Sequence, residues 1–242
     1  MNIKSIILVA LAGAGGVLLA LLVLRPPQEK PKAAVWSISP PAETNSMAQT
    51  NRDDLLPDDP VQLMNYGTGL LNMGKYSEAV QLYSKALKIN PEDEEAHFNL
   101  GVVYARMGRT NDAIKHYDDA IKIFPDYYEA HNNLGKLLVG QGKVAEGIQH
   151  YHLALKVQPE YTLAMNNLGS ALAQQGKLVE AVHFFHQAVR GDANYVDARC
   201  NLANALMNLG RNEEAILELN EVLRQKPGFP RAVSALARAQ QK

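Results

Sequence analysis

The chain writes one thirty-four-residue pattern five times, as blocks 60–93, 94–127, 128–161, 162–195 and 196–229, with no insertion or deletion between them. That gapless register constrains the fold more than any single residue. A unit of this length cannot bury an apolar face alone, so successive units must stack into one quasi-linear core. The fifteenth block position is glycine throughout (Gly74, Gly108, Gly142, Gly176, Gly210). A helix that stops and turns back needs a left-handed residue there, which glycine adopts without steric cost. The basic residue that follows (Lys75, Arg109, Lys143, Lys177, Arg211) falls in the turn. The acid at nineteen (Glu78, Asp112, Glu146, Glu180, Glu214) falls in the first turn of the next helix, near its positive end.

Small residues recur at eight (Gly67, Gly101, Gly135, Gly169, Ala203), twenty (Ala79, Ala113, Gly147, Ala181, Ala215) and twenty-seven (Ala86, Ala120, Ala154, Ala188, Val222). They predict two helices in close approach, helix A at about positions one to fourteen and helix B at about eighteen to thirty-one of each block. The residue at twenty-four (Tyr83, Tyr117, Tyr151, Phe185, Leu219) is expected to fill the space between neighbouring helix pairs. Proline at thirty-two (Pro91, Pro125, Pro159, Pro227) ends helix B, and Ala193 replaces it in the fourth block. Ala203, Leu219 and Val222 predict looser packing or a different cap in the last block, and Tyr66 stands where the other blocks have leucine. Residues 230–242 begin like one more helix A and read as a cap, with Ala232, Val233, Leu236 and Ala237 toward the stack and Arg231 and Arg238 toward water.

This pattern resembles the tetratricopeptide repeat family over residues 60–242. The resemblance implies an all-α fold, a right-handed superhelical α-solenoid of helix-turn-helix repeats whose A helices line a concave, protein-binding surface. Asparagine occupies the sixth position of every block (Asn65, Asn99, Asn133, Asn167, Asn201). A carboxamide offers donors and an acceptor, so it can pair with a peptide backbone whatever the side chain. The set looks like the asparagine ladder in the repeats of O-linked N-acetylglucosamine transferase, which hold substrate peptides. Asn132 and Asn166 add amides at the fifth position, and Lys136, Phe98 and Val139 are candidates for selectivity on the same face. The competing reading ties these asparagines to backbone between helices. Chaperone-binding members of the family use a basic clamp, but the second positions here are Val61, Glu95, Glu129, Leu163 and Asp197, and none is basic.

Ahead of the repeats, residues 1–5 form a short tail and residues 6–24 (IILVALAGAGGVLLALLVL) are uncharged, flanked by Lys4 and Arg25. As a helix this stretch spans about 28 Å, close to a bilayer's hydrocarbon thickness. It predicts an uncleaved single-pass anchor, with a cleaved signal peptide as the rival reading. Ala12, Gly16 and Ala20 share one helix face and could pack two such helices into a homodimer. Residues 25–59 carry Pro26, Pro27, Pro31, Pro40, Pro41 and Pro57 and read as a disordered, partly extended linker. Trp36 in this linker is the sole tryptophan. The flanking charges leave both orientations open; the expectation is an inner-membrane protein with its repeats on the periplasmic side, a cytoplasmic orientation being the alternative.

A net charge of −1 argues against nucleic acid as partner. Cys200 is the only cysteine, so no intrachain disulfide or thiolate cluster is expected. His183 and His186 lie three apart on a helix and His150 and His152 are close in sequence, yet no metal-ligand motif accompanies them, and no metal or cofactor is expected. No nucleophile motif or phosphate-cradling glycine loop is present, which points away from an enzyme. The expected function is a membrane-anchored scaffold that binds a protein or extended peptide in its concave groove to assemble or stabilise a complex, as bacterial relatives of this layout do in envelope assembly. Self-assembly into a coat and a non-catalytic subunit of an enzyme complex are the alternatives.

Overall fold

The computed structural model describes residues 58–241; the expected anchor at 6–24 and the linker up to residue 57 lie outside that range. The described residues form eleven helices and no strand. In chain order they are α1 (Pro60–Asn72), α2 (Tyr76–Ile89), α3 (Glu94–Arg106), α4 (Thr110–Ile123), α5 (Tyr128–Gly140), α6 (Val144–Val157), α7 (Thr162–Gln174), α8 (Leu178–Gly191), α9 (Val196–Asn208), α10 (Asn212–Gln225) and α11 (Pro230–Gln240). Odd-numbered helices up to α9 are the A helices and even-numbered ones the B helices. No helix among the described residues is long and apolar enough to cross a membrane.

The A-to-B turn is the same in all five repeats. The glycines at fifteen take φ between +74° and +81°. The next amide reaches back to close the helix: Lys75 to Leu70, Arg109 to Tyr104, Lys143 to Leu138, Lys177 to Leu172 and Arg211 to Leu206, at 2.9–3.0 Å. That basic residue is also the N-cap of the following B helix. Two of the acids at nineteen pair with it, Asp112 with Arg109 at 2.7 Å and Glu214 with Arg211 at 2.6 Å.

Packing follows the small-residue pattern. A methyl group added at Gly101 would stand 2.6 Å from the Tyr117 ring, and one at Gly67 the same distance from Tyr83. Tyr83 and Tyr117 also share clusters with leucines of the next repeat, Leu100 and Leu134. The residue at twenty-four therefore wedges its own A helix against the following repeat, as expected. Leu100, Leu134, Leu168 and Leu202 are at most 1 % exposed, a burial that stabilises by about 1.5–3 kcal/mol each. Tyr66, in the corresponding place at the open end of the described stack, is 42 % exposed.

The last repeat is not loosened. Ala203, Leu219 and Val222 are all fully buried. The smaller Leu219 leaves room for the methyl that Ala203 carries in place of glycine. Positions four and twenty-three form a more variable joint inside each repeat. They hold Leu63 with Leu82, His97 with His116, His131 with His150, Met165 with Phe184, and Arg199 with Glu218.

Successive A helices also touch: α1 meets α3, α5 meets α7, α7 meets α9, and α9 meets α11. The B helices of successive repeats make no comparable contact among the described residues. A stack whose A helices lie closer together than its B helices curves with the A helices on the inner side.

Candidate functional site

The sixth-position asparagines lie along that inner side, and the structure divides them into two groups. In the fourth and fifth repeats the carboxamides are tied to the preceding A helix. Asn167 donates its Nδ2–H to Oδ1 of Asn132, and Asn201 donates to Asn166, both at 2.9 Å. The acceptors are buried, Asn132 at 4 % and Asn166 at 7 % exposure. Asn132 also donates to Asn133 at 3.4 Å. The Tyr195 hydroxyl bonds to Asn166, which partly offsets the burial that raises the tyrosine pKa. Tyr195 is the N-cap of α9, so this network fixes the junction between two repeats.

The first three rungs differ. For Asn99 and Asn133 the fifth position of the preceding repeat is Met64 and Phe98, neither a carboxamide, and Asn65 is in the first repeat. Asn65 is exposed, and Asn99 and Asn133 are half-buried. Asn133 lies against the Tyr117 hydroxyl, which tempers the rise that burial gives that phenol.

The expected selectivity residues divide as well. Lys136 is exposed on α5. Phe98 is half-buried: its ring stacks on Tyr127 at 4.8 Å and tilts against Tyr117 at 5.8 Å. Val139 likewise packs inward, its side chain filling the space beside Gly147 on α6. Asn132 and Asn166 are interior bonding partners and not ligand-facing amides. Of these four side chains the two amides are buried, and Phe98 and Val139 are half-buried against neighbouring helices.

In the C-terminal helix Val233 and Ala237, expected toward the stack, are exposed; Arg231 and Arg238 are exposed as expected, and both reach back to α9. Arg231 pairs with Asp197 and donates to Asn201 at 3.0 Å, and Arg238 donates to Asn204 at 3.2 Å. The last asparagine of the series is thereby covered by an arginine of α11.

Cys200 is 1 % exposed and burial pushes its thiol pKa up, which makes it a packing residue. His183 and His186 are exposed on α8. The histidines that come together are others. His97 faces His116, and His131 faces His150, each through Nδ1 atoms 3.0–3.1 Å apart. His116 and His150 have pKa values lowered first by burial and next by the partner imidazole. Both pairs are nineteen residues apart, at identical block positions.

Comparison with known proteins places the pattern. A family model described as TPR repeat matches residues 70–108, and models described as tetratricopeptide repeat match 94–127, 132–196 and 172–239. No curated protein matches the chain by sequence. Among solved structures, PilF of Pseudomonas aeruginosa is 23 % identical with a TM-score of 0.69, covering 78 % of this chain and 85 % of its own. YrrB, described as a TPR protein with an unusual peptide-binding site, is 22 % identical with a TM-score of 0.61, covering 77 % of this chain and 96 % of its own. MamA from Desulfovibrio magneticus RS-1 is 17 % identical with a TM-score of 0.64, covering 72 % of this chain and 98 % of its own.

Proposed function

The chain carries tetratricopeptide repeats, and from that premise we propose that it is a scaffold that holds an extended protein segment along its A-helix face. The observation that carries this reading is the row of first-repeat, second-repeat and third-repeat carboxamides, Asn65, Asn99 and Asn133, whose counterparts further along are held by Asn132 and Asn166. Amides fixed on a rigid stack bind backbone groups with little ordering cost. Lys136, exposed beyond Asn133 on α5, adds a charge that favours an acidic side chain or terminus in the bound segment. The description of YrrB as having a peptide-binding site agrees with a peptide-binding role for this architecture.

The second element of the proposal is the membrane. The apolar stretch 6–24 and the proline-rich linker behind it support a single-pass anchor that keeps the repeats near the bilayer, on the periplasmic side of an inner membrane. In that position the scaffold assembles or stabilises a membrane-associated complex.

Photo-crosslinking in the native cell tests both elements, with probes at Asn99 and at Lys136. One abundant partner at both positions is the expected result, and its compartment reports the orientation. Crosslinks only between copies of the chain would replace peptide binding by self-assembly. A partner captured equally by Asn99→Ala, Asn133→Ala double-variant protein would remove the carboxamides from the binding mechanism.

A further inference from the structure

Helices α3 and α4 bring three ligating side chains to one place in the second repeat. The Nδ1 atoms of His97 and His116 are 3.1 Å apart, with ring centroids 5.3 Å apart and planes tilted by 37°. Asp119 lies one helical turn beyond His116 on α4. One ligand atom from each of the three residues lies within 4.8 Å of the other two. All three side chains are half-buried.

The orientation of His97 is fixed from behind. Its Nε2 is 3.2 Å from the carbonyl oxygen of Pro91. A carbonyl only accepts, so Nε2 carries a proton, and in the tautomer protonated there alone Nδ1 turns its lone pair toward His116. An outer N–H held by backbone oxygen while the inner nitrogen is free to ligate is the usual support of a metal-binding imidazole.

We propose that the second repeat binds a divalent ion of the zinc class through Nδ1 of His97, Nδ1 of His116 and the carboxylate of Asp119, with water completing the set. Imidazole nitrogen and carboxylate oxygen are ordinary zinc ligands, at about 2.0–2.2 Å in tetrahedral sites. Two such nitrogens stand roughly 3.3 Å apart around a tetrahedral ion, so the observed 3.1 Å separation is close to what binding needs. Without the ion, His116 Nδ1–H donates to His97. On binding, that proton moves through solvent to His116 Nε2, and both Nδ1 lone pairs face the metal with no net proton lost. Lys122 opposes binding, since it sits 2.8 Å from one Asp119 oxygen. Its side chain is 72 % exposed and free to swing away, and the carboxylate has a second oxygen to offer. The bound ion would staple α3 to α4 and, through Pro91, to the turn that follows α2.

The third repeat supplies an internal control. His131 and His150 have the same geometry, with Nδ1 atoms 3.0 Å apart and His131 Nε2 3.0 Å from the Pro125 carbonyl. The position equivalent to Asp119 is Leu153, which is 42 % exposed. That repeat offers two ligands and lacks the third.

The test titrates Zn2+ into the full chain, in detergent, against a chromogenic chelator. Co2+ absorption then reports coordination, and circular dichroism confirms that each variant keeps its helices. The expected result is one ion per chain. His116→Gln and Asp119→Asn should each weaken binding by more than the roughly 10–100-fold that loss of an outer hydrogen-bond partner costs. Leu153→Asp should create a second site. Absence of stoichiometric Zn2+ binding by the unaltered chain would overturn the proposal. So would binding that His116→Gln and Asp119→Asn leave unchanged, which would assign the ion to surface histidines such as His183 and His186. A folded Leu153→Asp variant that gains no second ion would refute the three-ligand geometry.

Discussion

Asn167 donates its side-chain amide to the carboxamide oxygen of Asn132, thirty-five residues earlier, across 2.9 Å. Asn201 repeats the bond to Asn166 one unit later. Asparagine at the sixth position thus differs along the stack: it bonds to the preceding repeat in the fourth and fifth repeats, whereas Asn65 is exposed in the first.

Removing a buried acceptor leaves its donor unpaired at the repeat junction. Asn132→Ala and Asn166→Ala should each lower stability by about 1–3 kcal/mol in urea unfolding. Asn65→Ala, at an exposed position with no such bond, should stay within about 0.5 kcal/mol of the unaltered protein. Equal effects at all three positions would dissolve the distinction between asparagines that join repeats and those that do not.

Gly101 and Tyr117 are coupled by shape. A methyl at Gly101 would meet the Tyr117 ring at 2.6 Å, so Gly101→Ala should destabilise by about 1–3 kcal/mol through overpacking. The last repeat carries the compensated version in Ala203 and Leu219, both fully buried. Adding Tyr117→Leu to Gly101→Ala should therefore recover part of the loss. A double-mutant cycle should show a favourable coupling of about 0.5–3 kcal/mol; strict additivity would contradict the wedge.

Gly108 separates backbone from packing. It has φ +74°, and a methyl added there meets nothing within 4 Å. Gly108→Ala should still lose about 1–2 kcal/mol, from the left-handed conformation alone. Thermal unfolding of Gly108→Ala beside Gly101→Ala would show the first unaffected by Tyr117→Leu and the second rescued by it.

Acid should weaken the stack through its paired imidazoles. His150 is held neutral by burial and by His131, against the opposing pull of Glu146. His116 is held neutral by burial and His97, with Lys115 acting in the same sense and Asp119 and Asp112 against it. A histidine whose folded pKa lies below its unfolded value takes up more protons when unfolded, so stability falls as pH drops through the unfolded value near 6.5 and on toward the folded one. The urea midpoint should decline below about pH 6.5. His150→Phe should flatten that decline, and an unchanged slope in the variant would place the acid sensitivity elsewhere.

Much of this was legible before any coordinates. A gapless thirty-four-residue register fixes where helices stop, because Gly74 and its four counterparts can adopt a conformation that other residues resist. It also fixes which small residues meet which aromatic, as at Gly101 and Tyr117. The sequence was less informative about side chains that lie one position apart on the same helix. Asn132 and Asn133 read alike, but a step of about 100° around the helix puts the first inside the stack and the second at its edge. Phe98, expected to contribute selectivity on the open face, is half-buried, with Tyr127 and Tyr117 against its ring. Bonds between repeats, such as that from Asn201 to Asn166, depend on how far one unit is offset from the next, and periodicity alone does not state that offset.

The joint between positions four and twenty-three sets rules for cutting this chain. An excision that removed α4 and α5 and ran α3 on into α6 would bring His97 to His150, imidazole still meeting imidazole. An excision that removed α8 and α9 and ran α7 into α10 would set Met165 against Glu218. A carboxylate now paired with Arg199 would then be left inside without its guanidinium. Modules of equal length and near-identical backbone are therefore not equally dispensable, and the chain is shortened safely only at the seam where both halves speak the same chemistry.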